Sequence, residues 1–195
     1  MVRPKGSITS IGIFYSVIMR FNSGHFAFTL DDAYIHLALA ENIWQGHYGI
    51  NLGEYSAPAS SIVWPVLIAP VAGLPFAEHL VLLANIIFAL LTLLLFYRIL
   101  QPDEQAATPD EQKSNHTLLN VMLILLIPAC NLLGLVFCGM EHSLQVMLSV
   151  AILYGLTKEL RTSQAQWWLC VAIILAPLVR YECLAISLPA TAYLF

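Results

Sequence analysis

The stretch from His79 to Leu100 constrains the fold most, because it is apolar over almost its whole length and Arg98 is its one formally charged residue. At about 1.5 Å per helical residue it is long enough to cross the hydrocarbon core of a membrane. Of the 195 residues, 59% are hydrophobic and 10% are charged, whereas soluble domains carry about 25% charged residues. The sequence therefore predicts an all-α fold, a polytopic transmembrane helical bundle.

Further apolar segments lie on both sides of this span. Ser7 to Phe28 is predicted to be an uncleaved first span with a cytoplasmic N-terminus, because the basic Arg3 and Lys5 precede it. Ile62 to Phe76 is short and contains three prolines, so we expect it to be interfacial or re-entrant. The remaining apolar segments are residues 117–137, 143–156, 167–179 and 184–195. The last one stops without a polar loop, so we expect residues 1–195 to be a single membrane domain truncated from a longer protein.

Two polar stretches separate these segments. In the first loop, Asp32 to Gln45 has the pattern of a short amphipathic helix on the membrane surface, and it stops at Gly46. Asp32 and His36 are four residues apart and share one face of that helix. The later stretch, 101–116, contains Pro-Asp-Glu-Gln twice, which is typical of a flexible solvated linker.

The lysines and arginines predict the topology. Cytoplasmic positions for the N-terminus, the 101–116 stretch and the basic turn at 158–161 satisfy the positive-inside rule. The first loop, Glu141 and Arg180 then lie on the outer side, provided that 62–76 does not cross. If that segment crosses, Glu141 and Arg180 move to the inner side, away from the first loop. We favour the first arrangement because it gathers the polar residues at one membrane face.

Asp31 and Asp32 form the first candidate site, because adjacent carboxylates at the edge of a membrane segment are costly to place. One of them can act as a general base, or both can bind a divalent cation, although the sequence requires no cofactor. The structural alternative makes Asp32 the N-cap of the following helix and Asp31 a charge near its first turn. We favour Asp31 as the base because Asp32 is the better candidate for the cap.

Other ionisable residues at segment ends are candidates for substrate binding. Arg180 carries a fork of donors that matches the oxygens of a phosphate, unless it only neutralises the neighbouring Glu182. Glu141 either faces the same cavity or is a charge at a helix start. The remaining candidates, which are either solvated loop residues or ligands, are His36, Glu54 and His142.

Several classes of function lack their sequence signals. No basic tract suggests nucleic acid as a partner, and the net charge is −4. No GxxxxGK[ST], GxSxG or HExxH motif occurs, so the donor of any transferred group is expected to be lipid-borne. The four cysteines form no CxxC pair and are predicted to be small buried apolar side chains. They are Cys130, Cys138, Cys170 and Cys183.

The order of these features resembles that of the GT-C superfamily of integral-membrane glycosyltransferases, most closely its bacterial arabinofuranosyltransferase-like and mannosyltransferase-like members. The matching stretches are residues 31–35, 42–54, 56–64, 139–144 and 180–182. Where the family usually has Gly-(Leu/Met)-Glu-Thr, this chain has His142 as the fourth residue. Where the family usually has Arg-Pro-Glu-Gly, it has Tyr181 and Cys183 in place of proline and glycine.

The resemblance implies an inverting transfer of a sugar from a polyprenyl-phosphate donor to a glycan, lipid or protein acceptor of the cell envelope. It implies a site on the extracytoplasmic side of the bacterial inner membrane, in contact with membrane lipid. An Asp of the first loop would be the base, and Arg180 would steady the lipid phosphate. The alternatives are a transporter or flippase, and a non-catalytic membrane scaffold. Ionisable residues at segment ends, rather than at mid-membrane, favour the enzyme.

Overall fold

The computed structural model describes residues 5–101, 109–164 and 166–194, and all regular structure in this part of the chain is helical. The all-α prediction is therefore confirmed. In chain order the helices are α1 (Lys5–Phe21), α2 (Asp32–Trp44), α3 (Val63–Ala72), α4 (Ala77–Leu100), α5 (Pro109–Ala129), α6 (Leu132–Cys138), α7 (His142–Thr162), α8 (Trp167–Val179) and α9 (Leu184–Leu194), with a 3-10 turn at Tyr181–Cys183 between the last two.

Helix α4 carries the clearest signal for a membrane. Its 24 residues make it the one single helix in the described ranges that is long and apolar enough to cross a bilayer. Helices α5 and α6 pass the same test together, with a bend of 45° between them. Only 28% of the most apolar window of α4 is buried against protein, and Leu83, Ile87 and Leu94 are exposed. Such an apolar surface marks contact with lipid or with another protein, which supports membrane association.

The first apolar helix is shorter than the predicted span. Helix α1 ends at Phe21, because Gly24 takes a left-handed φ of 87° and its N–H donates to Met19 O at 2.8 Å. Glycine adopts this helix-ending conformation without steric cost. The chain then folds back, and Phe26 and Phe28 are buried in the protein core. The predicted segment from Ser7 to Phe28 therefore consists of a helix and a returning loop.

Helices α2 and α3 form a pair. Helix α2 has nearly the predicted limits and buries Ala33, His36 and Leu39, packing mainly against α3. Helix α3 has 10 residues, which is a rise of about 15 Å. A bilayer core is about 30 Å thick, so α3 is too short to cross it, as we expected for this segment.

Helix α7 lies at the centre of the larger helical group. It packs against α4 on one side and α8 on the other, and its Ile152 is fully buried. A Cβ atom on Gly155 of α7 would lie 2.8 Å from Leu169 Cδ1 of α8. A small residue at this position allows the two helices to approach closely. This packing fixes the start of α7 relative to the end of α8, where the candidate polar residues are.

Two predictions about local structure are wrong in part. The second Pro-Asp-Glu-Gln, predicted as linker, begins α5, because proline suits the first helical position and Asp110 and Glu111 suit the first turn. The first copy, at 102–105, lies outside the described residues.

Cys138 and Cys183 are buried as predicted, but Cys130 is only half-buried and Cys170 is exposed on α8. Because α8 is apolar all round, its sequence gave no sign of which face packs.

Gly139 joins the first loop to the turn between α6 and α7. It ends α6 with φ at 74°, and a Cβ atom there would lie 2.5 Å from the Phe28 ring. One residue further along the loop, the backbone N–H of Thr29 donates to Phe137 O at 3.2 Å. The close approach of these two segments therefore requires glycine at this position.

Substitution Gly139→Ala is expected to lower the free energy of unfolding by about 2–4 kcal/mol, because it adds backbone strain and displaces Phe28. The measurement is thermal unfolding of the purified protein in detergent, followed by tryptophan fluorescence. Gly53→Ala is the matched control, since a Cβ atom there meets nothing within 4 Å. Equal unfolding temperatures for the two variants would contradict this account of Gly139.

Candidate functional site

A fully buried carboxylate, Glu141, is the centre of the polar cluster. It is 0% exposed and occupies the N-cap position of α7. Ser60 Oγ donates to Glu141 Oε1 at 3.0 Å, and Arg180 Nη1 donates to the same oxygen at 3.0 Å. His36 Nε2 lies 3.5 Å from the other oxygen, Oε2, so that contact is electrostatic rather than a good hydrogen bond. Burial of an anion requires such compensation.

Four separate parts of the chain supply this cluster. His36 comes from the buried face of α2, and Ser60 lies just before α3. Glu141 follows the Gly139 turn, and Arg180 is the extended residue between α8 and the 3-10 turn, with φ at −152°. Glu141 and Arg180, which were predicted to lie on the same side of the membrane, are in direct contact. Ser60 was missed, since nothing in its local sequence distinguishes it from other loop serines.

Arg180 is shared between two carboxylates. Besides Glu141, it binds Glu182 in a two-pronged pair, with Nη2 to Oε1 at 2.7 Å and Nε to Oε2 at 3.2 Å. This hydrogen bonding raises the pKa of Arg180 and lowers the pKa of Glu182. The Glu182 side chain is 41% exposed, the Arg180 side chain 17% and the Glu141 side chain 0%. The guanidinium therefore lies between a buried anion and a solvent-facing one.

His36 is buried beside the Glu141 carboxylate. Burial lowers its pKa from the ordinary value, and the nearby charges of Glu141 and Asp32 oppose this shift without reversing it. Its Nδ1 is buried and has no hydrogen-bond partner among the described residues. His36 therefore places a polar ring, with one nitrogen unpartnered among the described residues, beside the buried oxygen of Glu141.

Asp31 and Asp32 are both exposed at the start of α2. The predicted cap assignment is wrong: Asp31 occupies the N-cap position and Asp32 is the first helical residue. The Asp31 side chain makes no capping hydrogen bond, so a capping role does not account for it. Asp32 lies one turn before His36, and its charge acts on that ring. The reason for preferring Asp31 as the base is thereby removed.

The other predicted ligands differ in position. His142 follows Glu141, and its Nδ1 lies 3.4 Å from Gln145 Oε1. It is close enough to the cluster to contribute to the lowered pKa values of His36 and Glu182. Glu54 is exposed in a separate loop, where its backbone oxygen accepts a hydrogen bond from His47 Nε2 at 3.1 Å. No structural contact joins Glu54 to the cluster in the part of the chain described.

No metal centre is apparent in the described ranges. They contain no group of three or more His, Cys, Asp or Glu side chains arranged to hold an ion. Comparisons of the chain with protein-family models, with curated proteins and with solved structures find no match.

Glu141→Gln is expected to lower the free energy of unfolding by about 1–3 kcal/mol, because charge-assisted hydrogen bonds to a buried group are lost. Glu182→Gln is the matched control. It removes the other carboxylate that pairs with Arg180, and this carboxylate is exposed. Thermal unfolding in detergent measures both. A Glu182→Gln variant destabilised as much as Glu141→Gln would contradict the distinction between the two carboxylates.

The lowered pKa of His36 predicts a pH dependence of stability. Its folded pKa lies below the unfolded value of about 6.5, so protonation favours the unfolded state. The stabilising contribution is present above about pH 6.5 and is lost as the pH falls toward the folded pKa. Between about pH 7.5 and pH 5, the unfolding temperature should fall less in His36→Gln than in the unsubstituted protein. Identical pH profiles would refute this role.

Proposed function

We propose that this protein is a polytopic membrane glycosyltransferase that moves a sugar from a polyprenyl-phosphate donor to an extracytoplasmic glycan, lipid or protein. The observation that carries this proposal is the buried cluster of Glu141 and Arg180, close to exposed carboxylates, in a chain whose surface is otherwise strongly apolar. The resemblance of the Asp31-Asp32 and Gly139–Glu141 stretches to the GT-C superfamily supports the same reaction.

The proposed chemistry needs a base and a cation. An Asp carboxylate accepts the proton of the acceptor hydroxyl, whose oxygen attacks the anomeric carbon with inversion. The bond between that carbon and the phosphate oxygen breaks, and the lipid phosphate leaves with the electron pair. Arg180 neutralises the charge that develops on the phosphate. Asp32 is the stronger base candidate, because it is one helical turn from His36 at the edge of the cluster.

Glu141 has a positioning role in this proposal. It is fully buried, so it holds Arg180 and Ser60 through its Oε1 rather than contacting substrate. This revises the prediction that Glu141 binds substrate directly. His142 stays a candidate for substrate contact, and Glu182 occupies the outer edge of Arg180. The separate position of Glu54 gives it no part in the mechanism.

The location of the charged residues favours an enzyme over a transporter. The cluster lies at the start of α7 and the end of α8. In the proposed topology these helix ends are at the outer membrane face, whereas transporters carry their ionisable groups near mid-membrane. The proposed site is on the outer face of the bacterial inner membrane, which keeps the 101–116 stretch and the basic turn at 158–161 in the cytoplasm.

The test is sugar transfer by the full-length protein in membranes, using labelled polyprenyl-phosphate sugars. Asp31→Asn and Asp32→Asn are compared, because asparagine has nearly the same shape as aspartate but cannot accept a proton as a general base. Loss of the base is expected to lower transfer by about 10²–10⁴-fold in one of the two variants. Glu41→Gln, an exposed charge change on the same helix, is the control.

Each outcome has a clear meaning. Transfer that is lost in one Asp variant and retained in Glu41→Gln identifies the base and the donor. Loss of transfer on chelation with EDTA, restored by Mg²⁺ or Mn²⁺, would assign Asp31 and Asp32 to a divalent cation instead. No transfer from any donor by the unsubstituted protein would contradict the glycosyltransferase proposal and favour a transporter or a scaffold.

A further inference from the structure

Arg180 uses two different edges of its guanidinium. Nη1 points inward, where it donates to Glu141 Oε1 at 3.0 Å and lies 3.5 Å from Ser60 Oγ. Nε and Nη2 form the opposite edge, and both donate to the carboxylate of Glu182. The inner edge is therefore held by Glu141, which is inaccessible to water, whereas the outer edge is occupied by Glu182, which is accessible to water.

The outer edge is the one suited to an incoming phosphate. A two-pronged pair of N–H donors matches the spacing of two oxygens on either a carboxylate or a phosphate. Glu182 can leave without cost to the core because its side chain is 41% exposed. Glu141 cannot leave in the same way, because its side chain is 0% exposed and it also accepts from Ser60.

We propose that Glu182 is a displaceable occupant of a phosphate site: a lipid phosphate binds the Nε and Nη2 edge of Arg180 by taking the place of the Glu182 carboxylate. This inference rests on the proposed function, because it describes how the same site admits its donor. Glu141 and Ser60 keep the guanidinium oriented while the exchange takes place. No covalent bond changes in this step.

The surroundings of Arg180 favour a phosphate carried by a lipid. Leu178, Tyr181 and Leu184, which flank it in sequence, are 44%, 68% and 42% exposed. Exposed apolar side chains of this kind offer a surface for an acyl or prenyl chain. A free phosphate ion shares the oxygen chemistry but gains nothing from these neighbours.

The exchange also makes the site selective. In the absence of ligand, the charge of Arg180 is already satisfied, so a neutral lipid alcohol has no group with which to replace Glu182. A phosphate does, since it offers more than one charged oxygen to the same two donors. Competition from Glu182 therefore weakens the binding of every ligand at Arg180, and it prevents the binding of ligands without an anionic head group.

The test measures binding to the purified full chain in nanodiscs, with farnesyl phosphate, inorganic phosphate and farnesol as probes. Glu182→Gln is expected to lower the Kd for farnesyl phosphate by about twofold to fivefold, the range typical of removing one competing exposed ion pair. Arg180→Lys is expected to raise the Kd for farnesyl phosphate by about tenfold, because lysine cannot form the two-pronged contact. Glu41→Gln, the matched charge control, should leave it unchanged.

The outcomes separate this inference from the proposed function. If Glu182→Gln binds farnesyl phosphate more tightly but its affinity for farnesol is unchanged, the exchange is supported. If its affinity for inorganic phosphate rises by the same factor, the ligand is a free phosphate. The exchange is refuted if the Kd for farnesyl phosphate is unchanged in Glu182→Gln, or if Glu41→Gln binds it more tightly by the same factor. It is also refuted if no variant binds farnesyl phosphate. The exchange would stand even if sugar transfer were absent, and transfer with an unchanged Kd would refute the exchange alone.

Discussion

The contact between Glu141 and Arg180 is the interaction on which the arrangement of this chain depends. An unpaired anion as deeply buried as Glu141 would cost several kcal/mol, so the fold must bring it a cation and hydrogen-bond donors. Arg180 and Ser60 supply these from two distant parts of the sequence. Helices α3, α7 and α8 must therefore meet at one point. The apolar packing of α7 against α4 and α8 sets their relative positions, and the ionic contact fixes their ends.

The backbone around Glu141 contributes as much as its charge. Gly139 turns the chain between α6 and α7 and allows the Phe28 ring to lie against its backbone. The first loop is thereby held beside the start of α7, and α2 begins only a few residues later. Asp32 and His36 owe their position near Glu141 to this turn. A local requirement for glycine thus connects a loop that carries acidic side chains to a cluster that carries a cation.

The sequence predicted the elements better than their partners. Polar interruptions at residues 138–142 and 180–182 marked the breaks between helices, and the limits of α2 followed from its stop at Gly46. The contact of His36 with Glu141 and the role of Ser60 could not be predicted, because they depend on tertiary packing. The exposure of Cys170 was missed because α8 is apolar on every face and so lacks a helical period. The predicted cap is wrong by one residue, because α2 already begins at Asp32 and its N-cap is Asp31.

The length of α8 has a consequence for any bilayer that contains it. Its 13 residues rise about 20 Å, which is about 10 Å less than a hydrocarbon core. A membrane adapts to so short a helix by thinning locally or by letting polar groups enter below the head groups. In both cases the lipid phosphates would come closer to the end of α8, where Arg180 lies. Hydrophobic mismatch would then deliver a phosphate laterally to Arg180, without the lipid tail leaving the bilayer.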